Sequence, residues 1–405
     1  MKKTLLAAAL LTGFAGAASA QNSVTLYGVV SVGVKYQTIS APTNAKFANG
    51  NTSLSRVIME SGQQSGSRWG LKGVEDLGNG LKANFVYESG VNVTTGASTG
   101  FTRQATLGLE SDSWGGLQFG RAVSPGTVAF SGIDPFGASF GTSSLTSSQG
   151  NTFIRYSNMI QYSTPNISGF SGLFGWSFDP GLESNSFQDG AKTQAANNDP
   201  AGKPITTATN GAGFETNNKN RVASAGLRYA NGPILVAGIF DYVYSDNRNV
   251  TAVNDTNIKS WSVGGTYDFK VAKVHASYGQ NIDGIIGASD LDAGIVETGG
   301  PTNADEGALF VKGARTQSWM FGLSAPVGAA GKVFGSVQQR MVKGNFNVTS
   351  EDGVGTGTMT TASLGYTYGF SKRTNLYAYY SYQNNVANLD GADSNMVGVG
   401  LRHLF

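Results

Sequence analysis

The sequence predicts an all-β fold, a sixteen-stranded antiparallel transmembrane β-barrel, from three observations. Apolar and polar residues alternate with a period of two, the links between alternating segments are short and long in turn, and no apolar run past residue 20 could make a spanning helix. Composition agrees. With 57 glycines and 10 prolines beside 16 tyrosines and 22 phenylalanines, the chain disfavours helices and suits long, twisted, aromatic-edged strands.

The first element is a leader. "MKKTLLAAALLTGFAGAASA" has Lys2 and Lys3, a short Leu/Ala core and Ala18-Ser19-Ala20 as a cleavage site, so residues 1–20 read as a signal peptide and 21–405 as the barrel. Removing the two lysines takes the formal charge of +2 to near zero, and no basic excess points to nucleic acid. The chain has no cysteine, which excludes disulfide staples and thiolate chemistry.

Alternation places the strands, in order, at 24–38, 56–75, 80–93, 101–111, 116–123, 152–164, 170–179, 219–230, 233–245, 257–269, 272–283, 314–326, 331–343, 357–371, 374–384 and 394–405. In "WSVGGTYDF", Trp261, Val263, Tyr267 and Phe269 share one face while Ser262, Gly264, Thr266 and Asp268 share the other. "TQSWMFGLSA" sets Trp319, Phe321 and Leu323 against Ser318, Met320, Gly322 and Ser324. The final strand sets Val397, Val399, Leu401, His403 and Phe405 against Met396, Gly398, Gly400, Arg402 and Leu404.

The links separate a membrane barrel from a soluble sandwich. Tight connections such as "LGNG" (77–80), "NGP" (231–233) and "SKR" (371–373) fall on one rim, and long polar ones such as 180–218 and 284–313 fall on the other. A barrel sorts its links this way, whereas a sandwich has no reason to. In lipid the last strand must close on the first, which places Phe405 at the interface as part of an aromatic girdle.

Several stretches then match a known family. "TLYGVVSVG" (25–33), "SRWGLKGVEDLGNGLKANFVYESG" (67–90), "GGLQFGRA" (115–122), "DPFG" (134–137) and "GLRHLF" resemble the Gram-negative general porins of betaproteobacterial type. The resemblance implies a homotrimer in the outer membrane, in contact with lipid and lipopolysaccharide, that passes small hydrophilic solutes. It also implies an inward-folded third external loop whose acids face a ladder of arginines. Here that loop is 124–150, with Asp134 its only acid and Pro135 where enterobacterial relatives carry glutamate.

Carried over position by position, the cationic wall is Arg68, Arg103 and Arg155, joined by Lys35 on the polar face of the first strand. Arg68 alternates against Trp69 and Leu71, and Arg155 shares its side with Ser157, Met159 and Gln161. Arg103 shares parity with Leu107 and Leu109, which leaves two readings. If Arg103 is lumenal, Gln104 and Thr106 face outward into a trimer contact together with Arg121; otherwise Ala105, Leu107 and Leu109 face lipid. The row Leu401, His403, Phe405 resembles the family's signal to the outer-membrane assembly machinery. With three arginines against one acid, the channel is expected to prefer anions weakly.

Other chemistries fall away. "GAAGK" (328–332) is followed by Val333 and fails as a phosphate loop, and "SDLDAG" (289–294) and "NLDGADSN" (388–395) lack the closing glutamate of a calcium loop. His275 and His403, the two histidines, sit beside no nucleophile motif, so neither catalysis nor a metal or cofactor is expected. An adhesin or phage-receptor role through loops 180–218 and 284–313 is the alternative.

Overall fold

The computed structural model describes residues 23–41, 50–152, 154–181, 220–244, 256–286, 308–344 and 357–405. Residues 1–20, expected to be a signal peptide, lie outside them. Seventeen strand segments follow in order: β1 Ser23–Ser40, β2 Ser53–Ser61, β3 Arg68–Gly78, β4 Leu81–Gly90, β5 Gln104–Ser111, β6 Gly115–Val123, β7 Arg155–Ser163, β8 Phe170–Ser177 and β9 Arg221–Asn231. The circuit continues with β10 Ile234–Tyr244, β11 Ile258–Asp268, β12 Lys273–Ile286, β13 Ala308–Val327, β14 Gly331–Lys343, β15 Thr358–Gly369, β16 Thr374–Asn384 and β17 Ser394–Leu404. Among the described residues a short α-helix, α1, spans Pro125–Phe130.

These segments make sixteen staves, because β2 and β3 pair in succession along one edge of β1. The other edge of β1 pairs with β17 from Val29↔Leu404 to Ile39↔Ser394, so the sheet closes. The unbroken second strand expected at 56–75 is interrupted at 62–67. There "GQQSGS" leaves the ladder: Gly62 takes φ +85° and donates its amide to the Ser31 carbonyl (2.7 Å), and the Ser67 hydroxyl accepts from the Ser31 amide (3.0 Å) and donates to the same carbonyl (2.9 Å). The excursion folds inward, where the Gln63 carbonyl accepts the Phe140 amide at 2.6 Å.

Period-two alternation sorts side chains as lipid and water require. Val57, Leu107, Phe174, Val236, Phe321 and Val399 are exposed on the outer face, while Ser31, Gln37, Ser224, Ser262, Thr316, Gln338 and Ser381 are buried inside. The connections keep the expected sorting. β3 turns into β4 through Asn79 (φ +52°) and Gly80 (φ +75°), the paired left-handed geometry of a tight hairpin.

The segment between β6 and β7 crosses the barrel interior. Ser124 caps α1 by accepting the Thr127 amide (3.1 Å), and Pro125 supplies a helical φ at the first position. Phe130, Ile133 and Leu145 then pack on Leu173, Ala237, Ile239 and Met320, and Phe136 and Phe140 pack among Phe334, Tyr377, Tyr379 and Met396. The inner loop therefore lies against the wall from β8 to β17.

Closure ends on Phe405. Its amide donates to the Gly28 carbonyl and its carbonyl accepts the Gly28 amide, both at 3.1 Å. A Cβ on Gly28 would meet the Phe405 ring at 2.2 Å, so glycine is what lets the ring lie there. Deleting Phe405 removes two backbone bonds worth about 1 kcal/mol each in water. The truncated protein should reach the folded form in lower yield during detergent refolding, read as a smaller fraction that migrates as compact barrel on an unheated gel.

Candidate functional site

Across from the inner loop, β1 to β5 present a wall of ionised side chains. Lys35, buried on the inward face of β1, pairs with Glu60 on β2 at 3.0 Å. Arg56, two rungs further along the same face of β2, donates to the Gln37 side-chain carbonyl from Nη2 (2.7 Å) and Nε (3.0 Å).

Glu88 on β4 forms the hub of a second group. It accepts Arg103 Nε at 2.7 Å, Arg68 Nε at 3.2 Å and the Tyr27 hydroxyl at 3.0 Å. Arg68 also donates through Nη1 to the Gly66 carbonyl (2.9 Å) and Ser65 Oγ (3.2 Å), which ties the hub to the inward excursion at 62–67. A Cβ on Gly66 would come within 2.9 Å of Arg103 Nη1, so the bare backbone there gives the guanidinium its space. One carboxylate holding two guanidiniums and a phenol keeps both arginines oriented and leaves one net positive charge.

Of the expected pore residues, Arg68 and Arg103 meet at Glu88, and Lys35 lies on the same wall. Arg103 sits one residue before β5 begins, so the strand's parity does not govern it. Consequently Gln104 and Thr106 take the inward face: Thr106 is buried and accepts Gln118 Nε2 at 2.9 Å, while Leu107 and Leu109 are exposed outside. This corrects the outward trimer contact expected of Gln104 and Thr106. Arg121 stands alone opposite two β7 residues, Ser157 and Asn158, where the β6–β7 register shifts between Gly120 and Ala122, and its guanidinium bonds within its own chain, to the Thr102 carbonyl and to Ser157 Oγ (2.7 Å).

Two further expectations are corrected. Asn158, at φ +49°, breaks the alternation of β7, so Ile154 and Tyr156 join Met159 in one buried cluster. Arg155 therefore does not share a face with Met159, and lies half-buried opposite Val123. Asp134 is buried inside the loop that carries it, and its oxygens accept the amides of Phe136 (2.9 Å), Ala138 (2.9 Å) and Leu145 (3.0 Å). Burial pushes its pKa above the ordinary aspartate range, against the pull of those donors. The carboxyl folds the loop instead of facing the arginines.

Glu88, Glu60 and Arg56 were missed in sequence, although the signal was there. Glu88 shares its parity with Asn84, and Arg56 and Glu60 alternate against Val57 and Met59. What parity could not give was the pairing across strands.

Polar bonds hold the inner loop to the far wall. Gln338 donates to the carbonyls of Ser143 and Ser144 (3.3 and 3.0 Å) and accepts Ser148 Oγ (2.6 Å). Ser318 donates to the Ser148 carbonyl (2.6 Å), and Arg340 Nη1 donates to the Ser147 carbonyl (3.0 Å). His275 is likewise occupied, by the Ile133 carbonyl (2.8 Å) and Ser324 Oγ (3.1 Å). At the closing strand Leu401 and Phe405 are exposed outside, and His403 Nδ1 lies 2.8 Å from Thr374 Oγ1. The acidic run 289–294, and most of loops 180–218 and 284–313, fall outside the described residues. Among the described residues no group of His, Asp and Glu could hold a metal ion.

A sixteen-stave barrel closed by its terminal strands, with an inner loop opposite a charged wall, defines the class as an outer-membrane channel protein. The Gram-negative porin family model matches residues 7–388, and the chain belongs to that family. It is similar over its whole length to an outer membrane porin protein of Bordetella pertussis, at 43% identity with all of both chains covered. Outer membrane porin protein 32 of Delftia acidovorans is 29% identical over all of this chain and 94% of its own. Among solved structures, the anion-selective porin from Comamonas acidovorans superposes with a TM-score of 0.64 at 26% identity, covering 95% of this chain and all of that one.

Two substitutions separate the roles of the acids. Glu88→Gln removes the hub's only negative charge, worth about 1 kcal/mol to an ion a few ångströms away in water, so the chloride-to-potassium permeability ratio should rise by up to about fivefold. Asp134→Asn leaves the Ala138 and Leu145 amides facing an NH2 group. It should cost on the order of 2 kcal/mol of stability, read as a lower unfolding temperature, with the zero-current potential unmoved.

Proposed function

We propose that this porin is a water-filled channel for passive diffusion of ions and small hydrophilic solutes, with a weak preference for anions. The observation that carries the reading is the charge balance of the β1–β5 wall. Lys35, Arg56, Arg68 and Arg103 face Glu60 and Glu88 there, while the inner loop's single acid, Asp134, is turned into its own backbone. Low-dielectric walls focus that excess on passing ions. Pairing of Arg68 and Arg103 with Glu88 keeps the preference modest. The similarity to a porin described as anion-selective supports the sign.

The working unit is a homotrimer in contact with lipid and lipopolysaccharide, as the family resemblance implies. The outward cluster of Trp69, Phe85, Tyr87 and Phe101 on and beside β3 to β5 offers an apolar surface for a neighbouring subunit. Residues 1–20 act as the export signal, and the row Leu401, His403, Phe405 is presented to the assembly machinery.

In a potassium chloride gradient across a planar bilayer, the zero-current potential should have the sign of chloride permeation. Arg103→Glu, which reverses a charge at the hub, should carry it to the potassium side. A wild-type potential of cation sign would refute the reading.

A further inference from the structure

Beneath the inner loop, towards the rim of short turns, lies a cavity of about 730 Å³ between residues 132–140 and the inward faces of β11 to β17. Lys270, Lys273, Lys332 and Arg402 border it, against Asp268 and Asp134. Both acids are occupied. Asp268 holds Lys273 (3.2 Å) and the Lys270 amide (2.8 Å), and Asp134 accepts the three loop amides described above.

Arg402 and Lys332 differ from the cations of the charged wall. Lys35 is answered by Glu60, and Arg68 and Arg103 by Glu88, whereas the side chains of Arg402 and Lys332 make no ion pair or hydrogen bond among the described residues. Arg402 Nε is buried without any partner, and Lys332 Nζ lies 5.6 Å from the centroid of the Phe334 ring. A buried guanidinium N–H left unsatisfied is costly, and a bound oxyanion removes that cost. His275 cannot serve, since both its nitrogens are taken.

We propose that this cavity is an anion-docking site for a compact doubly charged oxyanion of the phosphate class, inorganic phosphate or a phosphate monoester, held between Arg402 and Lys332. The two cations stand on β17 and β14, three strand spacings or about 14 Å of wall apart. Two long side chains that line one cavity from strands that far apart favour one ion that accepts from both over a monovalent anion that satisfies one. Thr367, on the same lining, adds a hydroxyl donor. The site rests on the channel reading, because a solute reaches it through the lumen.

Single channels in potassium chloride, titrated with inorganic phosphate and separately with acetate, test the site. The zero-current potential is read in the same bilayers before titration, so failure of the channel reading is seen independently. Phosphate should interrupt chloride current saturably and acetate should not. The half-blocking phosphate concentration should rise at least tenfold in Lys332→Gln/Arg402→Gln. Lys332→Gln alone, at an exposed position, should raise it severalfold and serves if the double variant does not fold. Absence of saturable block, an unchanged half-blocking concentration in these variants, or loss of block in Arg103→Gln instead would overturn the proposal.

Discussion

Lipid offers no hydrogen-bond partner, and this constraint organises the molecule. Every spanning amide and carbonyl must find its partner in the sheet, so the sheet must close and the first and last strands must meet. The β1–β17 ladder does this over eleven paired rungs and is extended by the Gly28–Phe405 bonds. Closure then forces the period of two: one side chain faces hydrocarbon and the next faces the interior. Leu107 beside Thr106, and Val57 beside Arg56, are the same rule at two places.

The interior obeys a second rule, that buried polar groups must satisfy one another. The inner loop meets it on one side, with carbonyls taken by Gln338, Ser318 and Arg340 and aromatic rings seated among Phe334, Tyr377 and Tyr379. The charged wall meets it on the other, where Glu88 and Glu60 answer the cations. Such paired charges contribute little net stability, since desolvation offsets their attraction. What they fix is orientation. The passage is thus bounded by a loop pinned by hydrogen-bond donors of the far wall and by a wall whose cations are held in place by fewer acids.

The sixteen staves were legible in the sequence because alternation and link length are local signals that survive folding. Lys35 and Arg68 were legible for the same reason: each sits on a regular strand, against apolar neighbours of opposite parity. Arg103 lies just outside its strand and Arg155 just beyond a left-handed Asn158, so parity failed at both. Asp134 misled for another reason. Its acidity was visible, whereas the three amides that claim it come from residues as far as Leu145 and exist only in the folded loop. The interruption at 62–67 had a cue in "GQQSGS", which contains no apolar residue to face lipid.

The central claim is that the space between loop and wall is open and filled with water. Conductance of the purified protein in a planar bilayer tests it most directly. Stepwise current increments of uniform size, proportional to voltage and scaling with bulk salt conductivity, are the result expected of a polar lumen whose loop is pinned aside. A fully assembled protein that inserts yet passes no current, or whose steps do not scale with salt, would contradict it.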